Sequence, residues 1–202
     1  MRYFLVIERV PGGELFDRIG LAGRFRESDA RACVRSLLEA LAYCHSQKIV
    51  HRDVKSENIL MASRDANDST IKLADFGLAA SVASKPAGGP PCGTPTYMAP
   101  ERLMLAPHST PVDCWSAGVV TYILLGGYPP FSSPKMERLF RLIKRARVNF
   151  DSDCWGAVSA SGKDFILALL KLDPMARLTA EQALQHRWLD QPDGKNVGGG
   201  HE

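Results

Sequence analysis

The stretch IVHRDVKSENIL, residues 49–60, mixes apolar and charged residues in a pattern that decides how the rest of the chain is interpreted. Two short apolar runs, 49–50 and 59–60, enclose a group of polar side chains. These are His51, Arg52, Asp53, Lys55, Glu57 and Asn58. Because charged and amide groups leave water only when they find partners, we expect this loop to gather partners or ligands around it.

The composition is that of an ordinary globular protein. The chain has 202 residues, of which 45% are hydrophobic and 23% charged, so it can form one sizeable core. A net charge of +3 is too small to indicate nucleic acid or an anionic membrane as the main partner. No signal peptide or run long enough to span a bilayer is visible.

Cysteine usage indicates the compartment. Five cysteines, an odd number without a C-x-x-C pair, favour free thiols in a reducing, intracellular setting. We therefore expect a monomer located in the cytoplasm or nucleus.

Hydrophobic periodicity predicts a mostly helical protein with a small sheet at one edge. Ser28 is the expected N-cap of a long helix, and Thr179 with Gln182 forms a capping box before the last one. The predicted helices cover residues 28–46, 113–125, 135–147, 161–172 and 179–189. Strands are predicted over residues 59–62 and 70–73, around a polar turn, and the first segment, 3–10, is also β-rich.

Two short motifs point to chemistry. One is H-R-D-V-K-x-E-N at 51–58, which leads into a predicted strand, and the other is D-F-G at 75–77, which leaves the next strand. Loops at the same end of a hairpin can bring Asp53, Asn58 and Asp75 together. The oxygens of Asn58 and Asp75 suit Mg²⁺. Asp53, two residues before Lys55, suits a base that orients a hydroxyl beside a cation that stabilises a phosphoryl group.

These motifs, with A-P-E at 99–101, DCWSAGV at 113–119 and Arg177, occur in an order that resembles the C-terminal lobe of a eukaryotic protein kinase. The resemblance implies a mainly α (α+β) fold, a kinase C-lobe with a small β-hairpin edge. It covers residues 1–190, and a flexible tail, 191–202, follows.

The resemblance implies ATP- and Mg²⁺-dependent phosphorylation of serine or threonine in protein substrates. Asp53 matches the catalytic base and Lys55 the contact to the transferred phosphate. Thr94 matches a threonine that hydrogen-bonds to both of them, and Lys55 and Thr94 together favour Ser/Thr over Tyr as acceptor. Asn58 and Asp75 match the Mg²⁺ ligands.

Nucleotide-binding residues follow from the same resemblance. The positions expected to contact ATP are Glu8 and Val10 at the adenine edge, Glu14 at the ribose and Leu60 beneath the adenine, with Glu57, Asn58 and Asp75 nearer the phosphates. Ile7 matches the gatekeeper. Asp113 matches a helix residue that braces the catalytic loop, and Glu101 with Arg177 matches a buried ion pair.

Within the kinases, GGELFDRI, GYPPF and EQALQHRWL are most similar to the calcium/calmodulin-dependent group. This similarity implies a preference for arginine three residues before the acceptor, read by Glu14 and Glu57. Regulatory proteins are expected partners, but no calmodulin-binding helix follows Leu189, so calmodulin itself is not indicated.

The sequence departs from the family pattern in three places. The hinge motif falls at the start of the chain, so we expect a fragment without an N-terminal lobe that turns over slowly, or a non-catalytic lobe that acts as a binding or decoy module. Pro90 occupies the usual acceptor position of the activation loop, leaving Ser81 or Ser84 as phosphorylation sites that could pair with Arg52. Ser56 replaces a usual proline, a change expected to matter little.

Two further patterns allow more than one interpretation. The basic segment 135–147 resembles a calmodulin target or a membrane-surface helix, although a solvated helix packed by its apolar face is favoured. The segment DANDST, 65–70, hints at a calcium loop, but the glycine and the bidentate glutamate of such a loop are missing. We interpret it as a surface turn.

Overall fold

The computed structural model describes residues 4, 6–65, 67–82, 94–105 and 109–190. The predicted tail 191–202, together with Ser84 and Pro90 of the activation loop, lies outside these residues. Within the described ranges the α-helices are α1 Leu15–Ala22, α2 Glu27–Ser46, α3 Pro100–Leu103, α4 Pro111–Gly126, α5 Met136–Arg145, α6 Ala160–Leu169 and α7 Ala180–Leu184. The strands are β1 Ile49–Val50, β2 Ile59–Met61, β3 Ile71–Leu73 and β4 Ala80–Ser81.

Helix α4 forms the centre of the fold. It is apolar on nearly every side, and almost all of its residues are buried. Helices α2 and α6 pack against it. Gly118 permits the close approach of α6, because a β-carbon there would lie 2.8 Å from Cβ of Leu169. None of the helices in the described ranges has the length and apolarity needed to cross a bilayer.

The sheet structure is limited to two antiparallel pairs. Strand β2 pairs with β3, with Leu60 opposite Lys72, which confirms the predicted hairpin. Strand β1 pairs with β4 in a second pair that the sequence did not predict. The mainly helical fold with a small hairpin edge is therefore confirmed.

The β-rich prediction for segment 3–10 is wrong where the structure describes it, since no described residue of this segment belongs to a strand. A strand needs a neighbour that pairs with its backbone, and no described residue of this segment forms a backbone hydrogen bond with a strand. The chain first joins the sheet at Gly12, whose N–H donates to the Met61 carbonyl at 3.1 Å. A β-carbon on Gly12 would lie 2.2 Å from that oxygen, so only glycine fits there.

The helix termini differ from expectation in several places, most clearly in α2 and α7. Helix α2 begins at Glu27, one residue before the predicted start, and Ser28 is not its N-cap. Glu27 is held by partners outside its own helix: it accepts hydrogen bonds from Ser159 N at 3.0 Å and Trp188 Nε1 at 2.6 Å. The capping box of Thr179 and Gln182 is confirmed, although α7 ends at Leu184 instead of running to 189.

A buried ion pair joins α3 to the segment that precedes α7. Arg177 donates to Glu101 through two nitrogens, at 2.7 and 3.1 Å, and to the Pro111 carbonyl at 2.7 Å. Its guanidinium also lies 5.1 Å from the centre of the Trp115 ring. Since Arg177 is only 3% exposed and Glu101 6%, each charge depends on the other for compensation.

We predict that Arg177→Ala destabilises the fold by about 3–5 kcal/mol, because it leaves the Glu101 carboxylate buried without its counter-ion. Thermal and urea unfolding followed by circular dichroism would measure the loss. Lys171→Ala, which truncates an exposed cation nearby, is the control and should leave the melting temperature almost unchanged. Equal melting temperatures for Arg177→Ala and wild type would contradict the pairing.

Candidate active site

One buried carboxylate fixes the start of the loop that carries the polar motif. Asp113, in the first turn of α4 and 1% exposed, accepts hydrogen bonds from the backbone N–H groups of His51 and Arg52, both at 2.8 Å. His45 Nε2 lies 2.9 Å from the same carboxylate. Arg52 has φ +69°, a left-handed conformation that is costly for a residue with a side chain and is held here by Asp113. The expected bracing role of Asp113 is thus observed.

The loop brings three of the predicted site residues into direct contact. Lys55 Nζ lies 2.9 Å from Asp53 Oδ2, and Asn58 Nδ2 donates to both the side-chain and the backbone oxygen of Asp53, each at 2.9 Å. The hydrogen bond with Asp53 raises the pKa of Lys55, although partial burial acts in the opposite direction. Lys55 is therefore a firmly protonated donor beside a carboxylate.

Asp75 approaches the same place from the neighbouring loop. Ala74, just before it, donates from its N–H to the Asn58 carbonyl at 2.8 Å, and its own carbonyl lies 3.0 Å from His51 Nε2. Asp75 itself is exposed and left-handed, with φ +59°, and its Oδ1 accepts from Gly77 N at 3.1 Å. The negative charge of Asp75 contributes to the raised pKa of Lys55, which places it within electrostatic reach of the lysine.

The donor set suits a magnesium ion. Both amide hydrogens of Asn58 are used by Asp53, so its Oδ1 is the atom available to a ligand. Asp75 adds carboxylate oxygens. The described residues contain no group of three or more histidine, cysteine or acidic side chains that could enclose a metal. Mg²⁺ needs no such enclosure, because it completes its shell with phosphate oxygens and water.

The predicted nucleotide residues lie on the segment that joins the sheet. Glu14 forms an antiparallel bridge with Leu60, so these two are brought together. Val10 and Leu60 are half-buried, whereas Glu8 is exposed and its carboxylate lies 3.2 Å from Lys72 Nζ. That ion pair occupies the side chain of Glu8 and leaves its backbone carbonyl for a ligand.

Glu57 and Thr94 line a groove beside the polar loop, with a volume of about 480 Å³. Its walls also include Phe16, Ile19, Tyr97, Ile123, Tyr128 and Pro129. In the part of the chain that the structure describes, the Thr94 side chain makes no hydrogen bond with Asp53 or Lys55. The contact that the resemblance implied for Thr94 is therefore not seen in this conformation.

Ser56 makes contacts beside the site that the sequence did not reveal. It is 1% exposed, and its Oγ lies 2.7 Å from the Tyr97 hydroxyl and 3.0 Å from Glu57 Oε2. Ser56 thus orients Glu57 at the groove. Its partner Tyr97 is 41 residues away, so no local signal could have indicated the contact. That the change from the usual proline matters little stays a prediction.

The two ambiguous segments have clear structures. In α5, Leu139 and Ile143 are buried in the core, which confirms a helix packed by its apolar face. In the turn 65–70, Asp65 accepts from Asn67 N at 2.9 Å and Asp68 from Thr70 N at 2.8 Å. These carboxylates cap backbone amides, as expected for a surface turn.

The family now follows from the fold, the site and comparison with known proteins. The model of the protein kinase domain family matches residues 1–189, so the chain belongs to this family. Its sequence is similar to those of calcium/calmodulin-dependent protein kinases, as the motifs predicted.

Two relatives illustrate the similarity. The chain is 49% identical over 186 residues to calcium/calmodulin-dependent protein kinase type 1B of Rattus norvegicus, covering 92% of this chain and 54% of the relative. It is 45% identical over 187 residues to calcium/calmodulin-dependent protein kinase type II of Caenorhabditis elegans, covering 93% of this chain and 26% of that protein. The chain thus spans about half or less of the length of these relatives.

Proposed function

We propose that this chain carries the catalytic half of a kinase that transfers the terminal phosphate of ATP to serine or threonine in proteins. The observation that supports this most is the contact of Asp53 with both Lys55 and Asn58, with Asp75 within electrostatic reach. A carboxylate, a cation and two metal-ligating oxygens are the groups that phosphoryl transfer requires.

Each polar group has a separate task in this proposal. Asp53 accepts the proton of the substrate hydroxyl. Lys55 donates one of its three N–H groups to Asp53, and the other two donate to the transferred phosphate. Asn58 and Asp75 would hold Mg²⁺, which when bound neutralises charge on the phosphates. Glu8 and Val10 would contact the adenine through the backbone, Glu14 the ribose, and Leu60 the base.

The activity is tested with the purified 202-residue chain, Mg²⁺, radiolabelled ATP and a serine peptide. We predict a measurable but slow rate of phosphate transfer, because the reaction relies on the positioning that this chain alone supplies. In Asp53→Asn, which removes the base, the rate should be at least roughly 100-fold lower. Asp173→Asn changes an exposed carboxylate elsewhere and is the matched control.

The alternative is a lobe that binds protein partners without transferring phosphate. Peptide binding without any transfer, in a chain that melts cooperatively, would reject the catalytic proposal and favour this binding or decoy module.

We further propose that substrates carry a basic residue upstream of the acceptor. Glu57, held by Ser56 at the rim of the groove, and Glu14, exposed at the start of α1, present carboxylates that form no ion pair among the described residues. The charge of Glu57 contributes to the raised pKa of Lys55, so it lies near the proposed transfer site. An arginine bound there would gain a charge-assisted hydrogen bond.

Two serine peptides that differ only by Arg or Gln at the third position before the acceptor test this preference. We predict roughly tenfold higher kcat/KM, or tighter binding, for the Arg peptide, which corresponds to one charge-assisted hydrogen bond. Glu57→Gln should reduce the ratio to nearly one, whereas Glu39→Gln, an exposed change on α2, should preserve it. A wild-type chain that treats both peptides equally would refute the proposal.

A further inference from the structure

The positive charge of this protein is concentrated on one short segment. Residues 135–147 carry six lysines and arginines and a single carboxylate, that of Glu137. The whole chain has a net charge of only +3, so the remainder of the molecule is net negative. Such a local excess creates a field that attracts anionic groups, even though the overall charge is small.

The structure places four of these six cations on one side of α5. Leu139 and Ile143 are buried against the core, which fixes the rotation of the helix. With 3.6 residues per turn, four cations share a sector about 120° wide on the opposite side of the helix. They are Arg138, Arg141, Lys144 and Arg145. We call these four residues the α5 basic face.

The α5 basic face is available to a partner. All four side chains are exposed, and none of them makes a hydrogen bond or an ion pair in the described part of the chain. From Arg138 to Arg145 the helix rises about 10 Å, so the charges form a strip about two turns long. Their spacing of three or four residues matches that of carboxylates along one side of a second helix.

We propose that the α5 basic face is a docking surface for an acidic segment of a protein partner. Three of the four cations are arginines, whose planar guanidinium groups bind carboxylates through two parallel hydrogen bonds. Helix α5 packs against α3, which begins three residues after Tyr97 of the groove.

Packing disfavours the two other partners that a basic amphipathic helix attracts. Calmodulin grips a target helix by its apolar face, and a membrane-surface helix inserts that face among the lipids. Here Leu139 and Ile143 are already used by the core. Met136, 52% exposed, is the large apolar side chain that α5 leaves open, which is too little to anchor a helix in a bilayer.

Fluorescence anisotropy with a labelled helical peptide tests the proposal. The peptide carries four glutamates spaced by three and four residues, and a second peptide replaces them with glutamine. We expect saturable binding of the Glu peptide that weakens as salt rises to about 0.3 M, because exposed charges are screened. Arg141→Gln/Arg145→Gln should weaken binding roughly fivefold or more.

The matched control is Lys48→Gln/Lys171→Gln, which removes the same charge from exposed positions elsewhere and should retain affinity within about twofold. ATP is left out, so the result does not depend on whether the chain transfers phosphate. Equal losses in both double variants would show that net charge alone attracts the peptide, and the proposal would fail. The proposal would also fail if the Glu peptide did not bind. Binding of the chain to phosphatidylserine vesicles but not to the Glu peptide would likewise contradict it.

Discussion

Two backbone N–H groups of the loop that begins at His51 donate to a single carboxylate, that of Asp113. The acid is 1% exposed, and such a group remains charged in a protein interior only when donors surround it. His51 N, Arg52 N and the His45 ring supply those donors. Because α4 lies at the centre of the hydrophobic core, the loop is tied to a helix that is buried along nearly its whole length. The left-handed backbone at Arg52 persists because the N–H groups of His51 and Arg52 both donate to Asp113.

From this anchor the active-site geometry follows in short steps. Asp53, the next residue, receives Lys55 and Asn58, and the Asn58 carbonyl receives the N–H of Ala74. His51, lying between the two loops, contacts the Ala74 carbonyl and packs edge-on against Phe76, with ring centres 4.7 Å apart. Because Ala74 is hydrogen-bonded to both Asn58 and His51, the next residue, Asp75, lies on the side of the loop where Lys55 lies. Backbone hydrogen bonds join the two loops, and the side chains of Asp53, Lys55 and Asn58 contact one another within the site.

The sequence predicted the parts of this structure that depend on local patterns. The central helix, the hairpin of β2 and β3, and the capping box at Thr179 were visible because periodicity and capping residues are short-range signals. The motifs also indicated the ion pair of Glu101 with Arg177, through family resemblance.

The errors share a physical cause, which is tertiary contact between distant residues. The described part of segment 3–10 has strand-like composition but forms no backbone hydrogen bonds with a strand. The first residue of α2, Glu27, is held by Ser159 and Trp188, which are distant in sequence. The contact of Ser56 with Tyr97, which the sequence did not indicate, is also between distant residues. The expected hydrogen bonds of Thr94 with Asp53 and Lys55 are not formed in this conformation, so a sequence motif did not determine that geometry.

The central claim is that Asn58 and Asp75, on adjacent loops, form one metal–nucleotide site. Nuclear magnetic resonance of the isotopically labelled chain with ADP and Mn²⁺ as a paramagnetic substitute for Mg²⁺ would test this directly. Amide signals should broaden first at residues 53–58 and 75–77, and excess Mg²⁺ should restore them. Broadening centred on the acidic turn at 65–70, or spread evenly over surface carboxylates, would contradict the claim.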